Sequence, residues 1–480
     1  MPNIPTPQAC REARLSRDAR FDGLFFVGVL TTGIYCRPVC PAVAPKEENV
    51  RYFASAQAAA HAGLRPCLRC RPESAPGSFA WKGTGTTLER ALKLIDQGLL
   101  NDGGDNQAME HLAERLGISS RYLRRLFQEQ LGLSPKQYAD YQRLLFAKQL
   151  LHQTDMKITD VAMAAGFGSL RRFNEVFRDT LQLTPSQLRH KRSVQAQTCL
   201  LLNYRPPYDA QAMLAFFRLR AVDGMEWFTS QEGEPCYGRT LRLNGLLAWF
   251  EACHEPEQHR FRVRIGLADG SDMSQLRPFV MAIRRILDLD ADMDSVARRL
   301  PLGLVTEGKA LPRLPGAGSM FEAACRAILG QQVSVKQATQ LLGRLVRECG
   351  ERRTVAGREL WFFPAAGALA QATLDELRMP GSRKEALRAL GARLDAEPDT
   401  GADAMLAIKG IGPWTVNYAR MRGEGDPNVL LVGDLVVRKR LQAVSQRQGE
   451  TIDTDALAKQ VAPWGSYLTL ALWAMEDSPS

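Results

Sequence analysis

Lys409-Gly410-Ile411-Gly412-Pro413-Trp414-Thr415-Val416-Asn417-Tyr418, followed by Asp434, is the stretch that decides how this chain reads. Two glycines around one isoleucine, with proline next, mark a tight turn that feeds into a helix. Glycine permits unusual backbone angles and close approach, and proline suits the first helical position. Amides at such a turn can face a phosphate whatever the base sequence, so Lys409, Gly410, Ile411 and Gly412 read as a clamp on a DNA strand. Trp414 offers a flat aromatic plate for an extruded base, and Asp434 offers a carboxylate for the bond beneath it.

Outward from that stretch the chain breaks at 74–86, at 194–198 after the basic run Arg189-His190-Lys191-Arg192, and in the Pro- and Gly-rich stretch near 309–318. A chain of 480 residues needs several cores. The expected fold is multidomain and mainly α with α+β parts: a small zinc domain (1–76), a tandem helix-turn-helix domain (84–193), an α+β domain (199–310) and an all-α helix-hairpin-helix domain (311–480). In the third segment Arg260 to Ile265 alternates as a half-buried strand does, and 240–253 is β-rich. Leu276, Val280, Ile283 and Leu287 keep helical spacing. The fourth segment predicts helices near 320–329, 334–347, 383–394, 403–408, 413–421, 434–445 and 464–475.

Lys and Arg outnumber Asp and Glu by ten overall, by nine within residues 1–193 and by only one within 194–480. Broad phosphate attraction is therefore expected from the amino-terminal part, while the carboxy-terminal part must rely on local features. The sequence has no apolar run of membrane-spanning length and no export signal at its start, so a cytosolic location without membrane partners is expected.

The second segment repeats itself after about fifty residues. Ala113 to Gly117 matches Ala162 to Gly166, and Phe127, Leu131 and Pro135 match Phe177, Leu181 and Pro185. Each copy reads as helix, glycine turn, helix. The second helices, about 119–130 and 169–179, should enter successive major grooves of double-stranded DNA. Arg121, Arg124 and Arg125 in the first, and Arg171, Arg172 and Asn174 in the second, are the candidate contacts to bases or phosphates.

Of the ten cysteines, Cys36-x3-Cys40 and Cys67-x2-Cys70 form two close pairs that suit one tetrahedral zinc ion, with an iron–sulfur cluster as the alternative. The other six are expected to be inert thiols, without disulfides.

Three resemblances extend this reading. Thr31 to Cys40, Glu48 to Phe53 and Arg65 to Pro72 resemble the amino-terminal domain of the Ada methylation-response regulators. That resemblance implies one zinc held by Cys36, Cys40, Cys67 and Cys70, and makes Cys36 the irreversible acceptor of a methyl group from a DNA methyl phosphotriester. Methylation would reduce the negative charge of the thiolate site and strengthen operator binding. The tandem repeat resembles the AraC-type DNA-binding domain, which implies a promoter operator and RNA polymerase as partners. Arg205 to Trp473, including Ala327 to Val335, Gly410 to Tyr418, Asp434 to Arg440 and Pro463 to Tyr467, resembles the AlkA-type 3-methyladenine DNA glycosylases of the helix-hairpin-helix superfamily. It implies Asp434 as the catalytic carboxylate and Trp414, Tyr418 and Trp473 as the lining of the base pocket. It also puts Gln332 at the position where a stand-alone relative carries a leucine wedge.

Trp414 stands where strand-cutting relatives carry a lysine nucleophile, so a monofunctional enzyme is expected. The cysteine quartet that holds an iron–sulfur cluster in some relatives is absent after Asp434, and no Pro-Cys-His-Arg transferase motif occurs. The resulting expectation is a methyl-activated transcriptional regulator joined to a glycosylase that hydrolyses the N-glycosidic bond of alkylated purines. A regulator with a degenerate glycosylase half and a repair enzyme with a mere DNA-delivery half are the rival readings.

Overall fold

The computed structural model describes residues 5–70 apart from 19–20, 23, 55 and 68; residue 72; 87–189 apart from 97, 101–105 and 117; 199–301 apart from 232 and 269; and 311–475 apart from 399–400 and 449–450. The breaks expected at 74–86 and 194–198, and the start of that at 309–318, lie outside the described residues. No described helix is long and apolar enough to cross a membrane. The chain forms two compact units, residues 1–200 with 272–281, and residues 201–271 with 282–480.

The first unit begins with helix α1 (Pro7–Ser16) and a four-stranded sheet of β1 (Phe26–Val29), β2 (Ile34–Cys36), β3 (Val50–Phe53) and β4 (Arg65–Pro66), in the order β3-β1-β2-β4. β1 pairs antiparallel with β2 and β3, whereas β2 and β4 run parallel. Helix α2 (Ala56–His61) precedes β4. Among the described residues seven helices follow: α3 (Thr87–Asp96), α4 (Asn106–Arg115), α5 (Ser120–Leu131), α6 (Pro135–Gln153), α7 (Ile158–Ala164), α8 (Leu170–Leu181) and α9 (Pro185–Leu188).

The repeat seen in the sequence is a repeat of caps. Ser119 and Ser169 accept from backbone amides at the starts of α5 and α8, and both helices end on a left-handed residue, Gly132 and Gln182. Both copies then turn into a capping box with proline at the first helical position, Ser134/Gln137 before α6 and Thr184/Gln187 before α9. Phe127 and Phe177 are fully buried, so the shared Phe-x3-Leu-x3-Pro signature encodes core, core and helix start.

α6 serves two cores. Tyr138 and Ala139 pack among α3, α4 and α5 residues such as Leu92, Leu112 and Phe127, while Tyr141 and Leu145 pack with Phe26, Tyr35, Phe53 and Leu64 of the cysteine-bearing domain. The hydroxyls of Tyr35 and Tyr141 are hydrogen-bonded to each other.

The second unit contains a five-stranded sheet, ordered β5-β9-β8-β7-β6, from β5 (Cys199–Asn203), β6 (Glu226–Gln231), β7 (Glu234–Leu243), β8 (Leu246–Glu255) and β9 (Arg260–Leu267). Consecutive strands from β6 to β9 pair antiparallel. Helix α10 (Ala210–Arg218) packs on the sheet through Phe217, which stacks on Tyr237 at 4.4 Å between ring centres. Contrary to the expectation of inert thiols, β7 and β8 bring Cys236 opposite Cys253 and the two form a disulfide.

Helices α11 (Leu276–Ile286) and α12 (Met293–Arg299) lead to the helical layer: α13 (Met320–Gly330), α14 (Val335–Cys349), α15 (Ala366–Gln371), α16 (Gly381–Ala396), α17 (Pro413–Ala419), α18 (Leu435–Gln448), α19 (Thr454–Val461) and α20 (Gly465–Ala474). An antiparallel hairpin of β10 (Glu351–Val355) and β11 (Arg358–Phe362) interrupts it, which the helical reading did not anticipate. The hairpin buries Val355, Leu360 and Phe362 against Trp249, and the Trp249 indole donates to the Val355 carbonyl at 3.0 Å.

A buried network joins the sheet to α13. Glu322 accepts from Arg239 at 2.7 Å and from Arg326 at 2.8 Å, and Glu226 accepts from Arg326 at 3.0 Å and from the Tyr237 hydroxyl at 2.7 Å. Burial alone would push the Glu322 carboxyl up, but the two guanidiniums outweigh it and bring it down to about 2.

Candidate functional site

The glycine turn sits between a short 3-10 helix, Ala402–Ala407, and α17. Gly410 holds φ at +91°, and a Cβ there would lie 3.3 Å from that of Ala386, so backbone and space both require glycine. Gly412 differs: its φ is −102° and an added Cβ would meet nothing within 4 Å. The protein itself does not demand glycine at 412, so the residue leaves room for something to approach from outside. Gly412 caps α17 without a side-chain hydrogen bond, and Ile411 anchors the turn in the core at 5 % exposure.

Across from the turn, α13 ends at Gly330. Gln331 donates through Nε2 to the Gly410 carbonyl and to the Thr415 hydroxyl, both at 3.3 Å. Gln332 is exposed in a left-handed conformation, φ +57°, at the position where a wedge is expected. A non-glycine residue there is held in an uncommon geometry by its neighbours.

Asp434 opens α18. Its Oδ1 accepts from the amides of Val436 at 2.9 Å and Val437 at 3.1 Å, as an N-cap does. The same oxygen accepts from the Trp473 indole at 3.1 Å, and Oδ2 accepts from the Trp414 indole at 3.2 Å. Trp414, Tyr418 and Trp473 are all half-buried and stand in a row, with 5.4 Å between the first two ring centres and 6.4 Å between the last two. The three aromatic residues and the carboxylate expected to converge therefore do so, and both indoles also orient the acid, a role that spacing does not reveal.

The loop before Asp434 is held by α20, which carries Trp473. Buried Ser466 accepts from the Val429 amide and buried Thr469 from the Leu431 amide, both at 3.0 Å. Sequence reading also missed the back of the aromatic row. The Tyr418 hydroxyl accepts from Arg422 at 3.1 Å, and the guanidiniums of Arg422 and Arg220 lie over the Phe216 ring, 4.6 and 3.7 Å from its centre.

The four clustered cysteines are brought together by the parallel pairing of β2 with β4, which puts Cys36 and Cys67 at adjacent strand ends. The Cys67 amide bonds the Tyr35 carbonyl at 2.9 Å, and Cys40 follows in a turn closed on Arg37. Their sulfurs all lie within 4.8 Å of one another, and Cys40 and Cys67 are 3.9 Å apart. Tetrahedral zinc with bonds of about 2.3 Å would separate its sulfurs by about 3.8 Å, so the donor set fits that ion. Hydrogen bonds from Cys36 hold the Cys40 thiol down at about 7, while bonds to its three neighbours push Cys36 up. Four thiolates this close would repel one another, a cost that a bound cation would offset. Cys36 and Cys40 are half-buried, and Cys67 and Cys70 are buried.

On the helix-turn-helix domain, Arg121, Arg124 and Arg125 are exposed on α5, and Arg171 and Arg172 on α8. Arg125 faces Glu129 at 3.7 Å, Arg171 faces Glu175 at 3.1 Å, and Arg172 reaches Asp140 on α6 at 3.3 Å.

Family models match along the chain in the order of these structures: the metal binding domain of Ada at residues 9–73, a helix-turn-helix domain at 112–191 and the AlkA N-terminal domain at 199–319. The DNA-3-methyladenine glycosylase 2 of Escherichia coli is 31 % identical over 57 % of this chain and 96 % of its own length. The Escherichia coli bifunctional transcriptional activator/DNA repair enzyme Ada is 34 % identical over 37 % of this chain and 47 % of its own. A Mycobacterium tuberculosis protein named probable bifunctional transcriptional activator/DNA repair enzyme AlkA is 36 % identical over 98 % of this chain and 97 % of its own. With that identity sustained from end to end, the chain belongs to the family of bifunctional transcriptional activator/DNA repair enzymes of the AlkA type.

Proposed function

We propose that this protein is an alkylation-damage responder: a monofunctional DNA-3-methyladenine glycosylase joined to a methyl-activated transcriptional regulator, acting on double-stranded DNA in the cytoplasm. The observation that carries the enzymatic half is the carboxylate of Asp434, fixed through both oxygens by Trp414 and Trp473 beside Tyr418.

The damaged purine is turned out of the duplex at a cost of a few kcal/mol. Gln332 fills the gap it leaves. The turn from Lys409 to Gly412 holds the strand. Trp414, Tyr418 and Trp473 take the base, and a cationic purine gains about 0.5–2 kcal/mol from an indole face. The bond from C1′ to the base nitrogen breaks with both electrons going to the base, leaving positive charge on the sugar. Asp434 stabilises that charge, water adds to C1′, and its proton is released. With tryptophan at 414 there is no amine to form a Schiff base, so the strand is left intact.

In the regulatory half, Cys36, Cys40, Cys67 and Cys70 would hold a single zinc ion, which when bound keeps the thiols deprotonated. The Cys36 thiolate attacks the methyl carbon of a phosphotriester. A sulfur–carbon bond forms, the carbon–oxygen bond breaks, and the electron pair stays on the phosphodiester oxygen. Exposed Arg121, Arg124, Arg125, Arg171 and Arg172 read a promoter operator, and the bound protein recruits RNA polymerase. A reporter whose induction by methylating agents survives Cys36→Ala would remove this half.

The deciding experiment is release of bases from methylated DNA. Asp434→Asn should abolish release while leaving operator binding unchanged; undiminished release would reject Asp434 as the catalyst.

A further inference from the structure

The row of aromatic residues is tied to an anion at one end and to cations at the other. Trp414 and Trp473 donate to Asp434, whereas the Tyr418 hydroxyl accepts from Arg422. Arg422 is 3 % exposed and its guanidinium carbon lies 5.7 Å from the Tyr418 ring centre. Its remaining bond is from Nε to the Pro315 carbonyl. Arg220, half-buried, stacks on the plate it shares with Arg422, Phe216, and its guanidinium donates to the Phe216 carbonyl at 3.3 Å. Phe216 packs in the same apolar cluster as Trp414, Tyr418 and Trp473.

Among the described residues, neither guanidinium has a carboxylate within ion-pair reach. Glu226, whose charge acts on Arg422, is already bonded to Arg326 and Tyr237. Burial pushes Arg220 down only to about 10 and lowers Arg422 as well; a guanidinium nevertheless keeps its proton inside a protein. A buried positive charge without a counter-ion is costly, and a second, half-buried one lies over the same ring.

We propose that Arg220 and Arg422 form an electropositive floor to the base pocket that sorts lesions by charge and drives the departure of neutral damaged purines, which leave as anions. This rests on the glycosylase reading of the same site. Heterolysis moves one negative charge onto the base in every case, so the floor favours the bond-breaking step for cationic and neutral lesions alike. Binding differs. A cationic base entering the pocket is repelled by the floor, and a neutral one is not. For a cationic lesion the binding penalty cancels the gain in the chemical step. For a neutral lesion the gain is kept, because only the transition state feels the field. A base stacked beyond Tyr418 would lie about 9 Å from Arg422. At an effective dielectric near 20, one charge at that distance shifts a rate or an equilibrium by on the order of tenfold.

The test uses the full-length protein and four duplexes: 7-methylguanine in mildly acidic buffer, where it is cationic, ethenoadenine and hypoxanthine as neutral lesions, and undamaged DNA as reference. Single-turnover excision rates and lesion affinities are measured for Arg220→Gln, Arg422→Gln and the charge-retaining Arg220→Lys. Both glutamine variants should lose about tenfold in excision rate on all lesions. Affinity should rise about tenfold for 7-methylguanine only, and Arg220→Lys should behave like the parent. Loss of rate together with equal or weaker affinity for every lesion would mean a packing role and overturn the floor. Should Arg422→Gln fail to fold, the half-buried Arg220 pair decides alone. A parent protein that releases 7-methylguanine while its variants show no split by lesion charge sinks the floor but not the glycosylase. A parent that releases nothing sinks both.

Discussion

Replacing Trp414 by phenylalanine keeps an aromatic plate beside Tyr418 but removes, among the described residues, the one side-chain donor to Oδ2 of Asp434, at 3.2 Å. Replacing Trp473 removes a donor from Oδ1, which still accepts from the amides of Val436 and Val437. A hydrogen bond to a charged group contributes about 1.5–3 kcal/mol. If it serves only to aim the carboxylate at the developing sugar cation, its loss slows excision by about 10- to 150-fold. Trp414→Phe should fall in the upper part of that range and Trp473→Phe at or below the lower end, because two amides continue to hold Oδ1. Single-turnover release of 7-methylguanine with enzyme in excess isolates the chemical step. Affinity for lesion DNA should stay within about twofold, since stacking area is nearly conserved. A full rate in Trp414→Phe would refute the orienting role of the indole N–H. A larger loss in Trp473→Phe than in Trp414→Phe would show that the load on the two oxygens has been assigned the wrong way round.

The two glycines of the turn should separate fold from grip. Gly410→Ala forces a left-handed alanine, costing about 1–3 kcal/mol of stability, and lowers the melting temperature. Gly412→Ala should leave melting unchanged and weaken binding to undamaged and damaged DNA alike, as a titration would reveal; unchanged affinity would exclude close backbone approach there. Asp288, beside Arg313, Tyr467, Tyr208 and Asp290, is pushed up to about 7 by burial. Its folded-state value exceeds the unfolded one, so the stability it contributes is complete below about pH 4 and is lost as pH rises through 7, at no more than about 1.4 kcal/mol per pH unit. Denaturant melts of Asp288→Asn should therefore show a flatter profile between pH 4 and 7 than the parent.

The helix-turn-helix pair was legible because its signals are local: caps, a glycine turn and buried phenylalanines recur at fixed offsets, and α5 and α8 begin within a residue or two of the expected starts. Strand β9 and helix α11 were legible from their periods. The β10–β11 hairpin was not, because its outward Arg352, Arg353 and Glu359 interrupt the apolar pattern and only the contact with Trp249 explains its inward face. The Cys236–Cys253 bond depends on strand register, which two cysteines seventeen positions apart do not announce. At the candidate site, the glycine turn drew attention to Trp414 and Asp434 and the family resemblance added Tyr418 and Trp473, but both assigned the indoles only to stacking. Their bonds to the acid join residues 20 and 39 positions apart and exist only once α20 has folded against the loop. Arg220 and Arg422 carry no motif at all; an arginine four residues after Phe216 reads as a solvated charge until its neighbours are seen.

The long helix α6 contributes side chains to two hydrophobic layers, Tyr138 to one and Tyr141 and Leu145 to the other. Such a shared beam makes neighbouring modules melt as one, since neither layer can open without exposing part of the other's wall. A metal stripped from the thiol cluster would then be felt, through Tyr35 and its phenol partner, along the same rod that joins α5 to the second repeat.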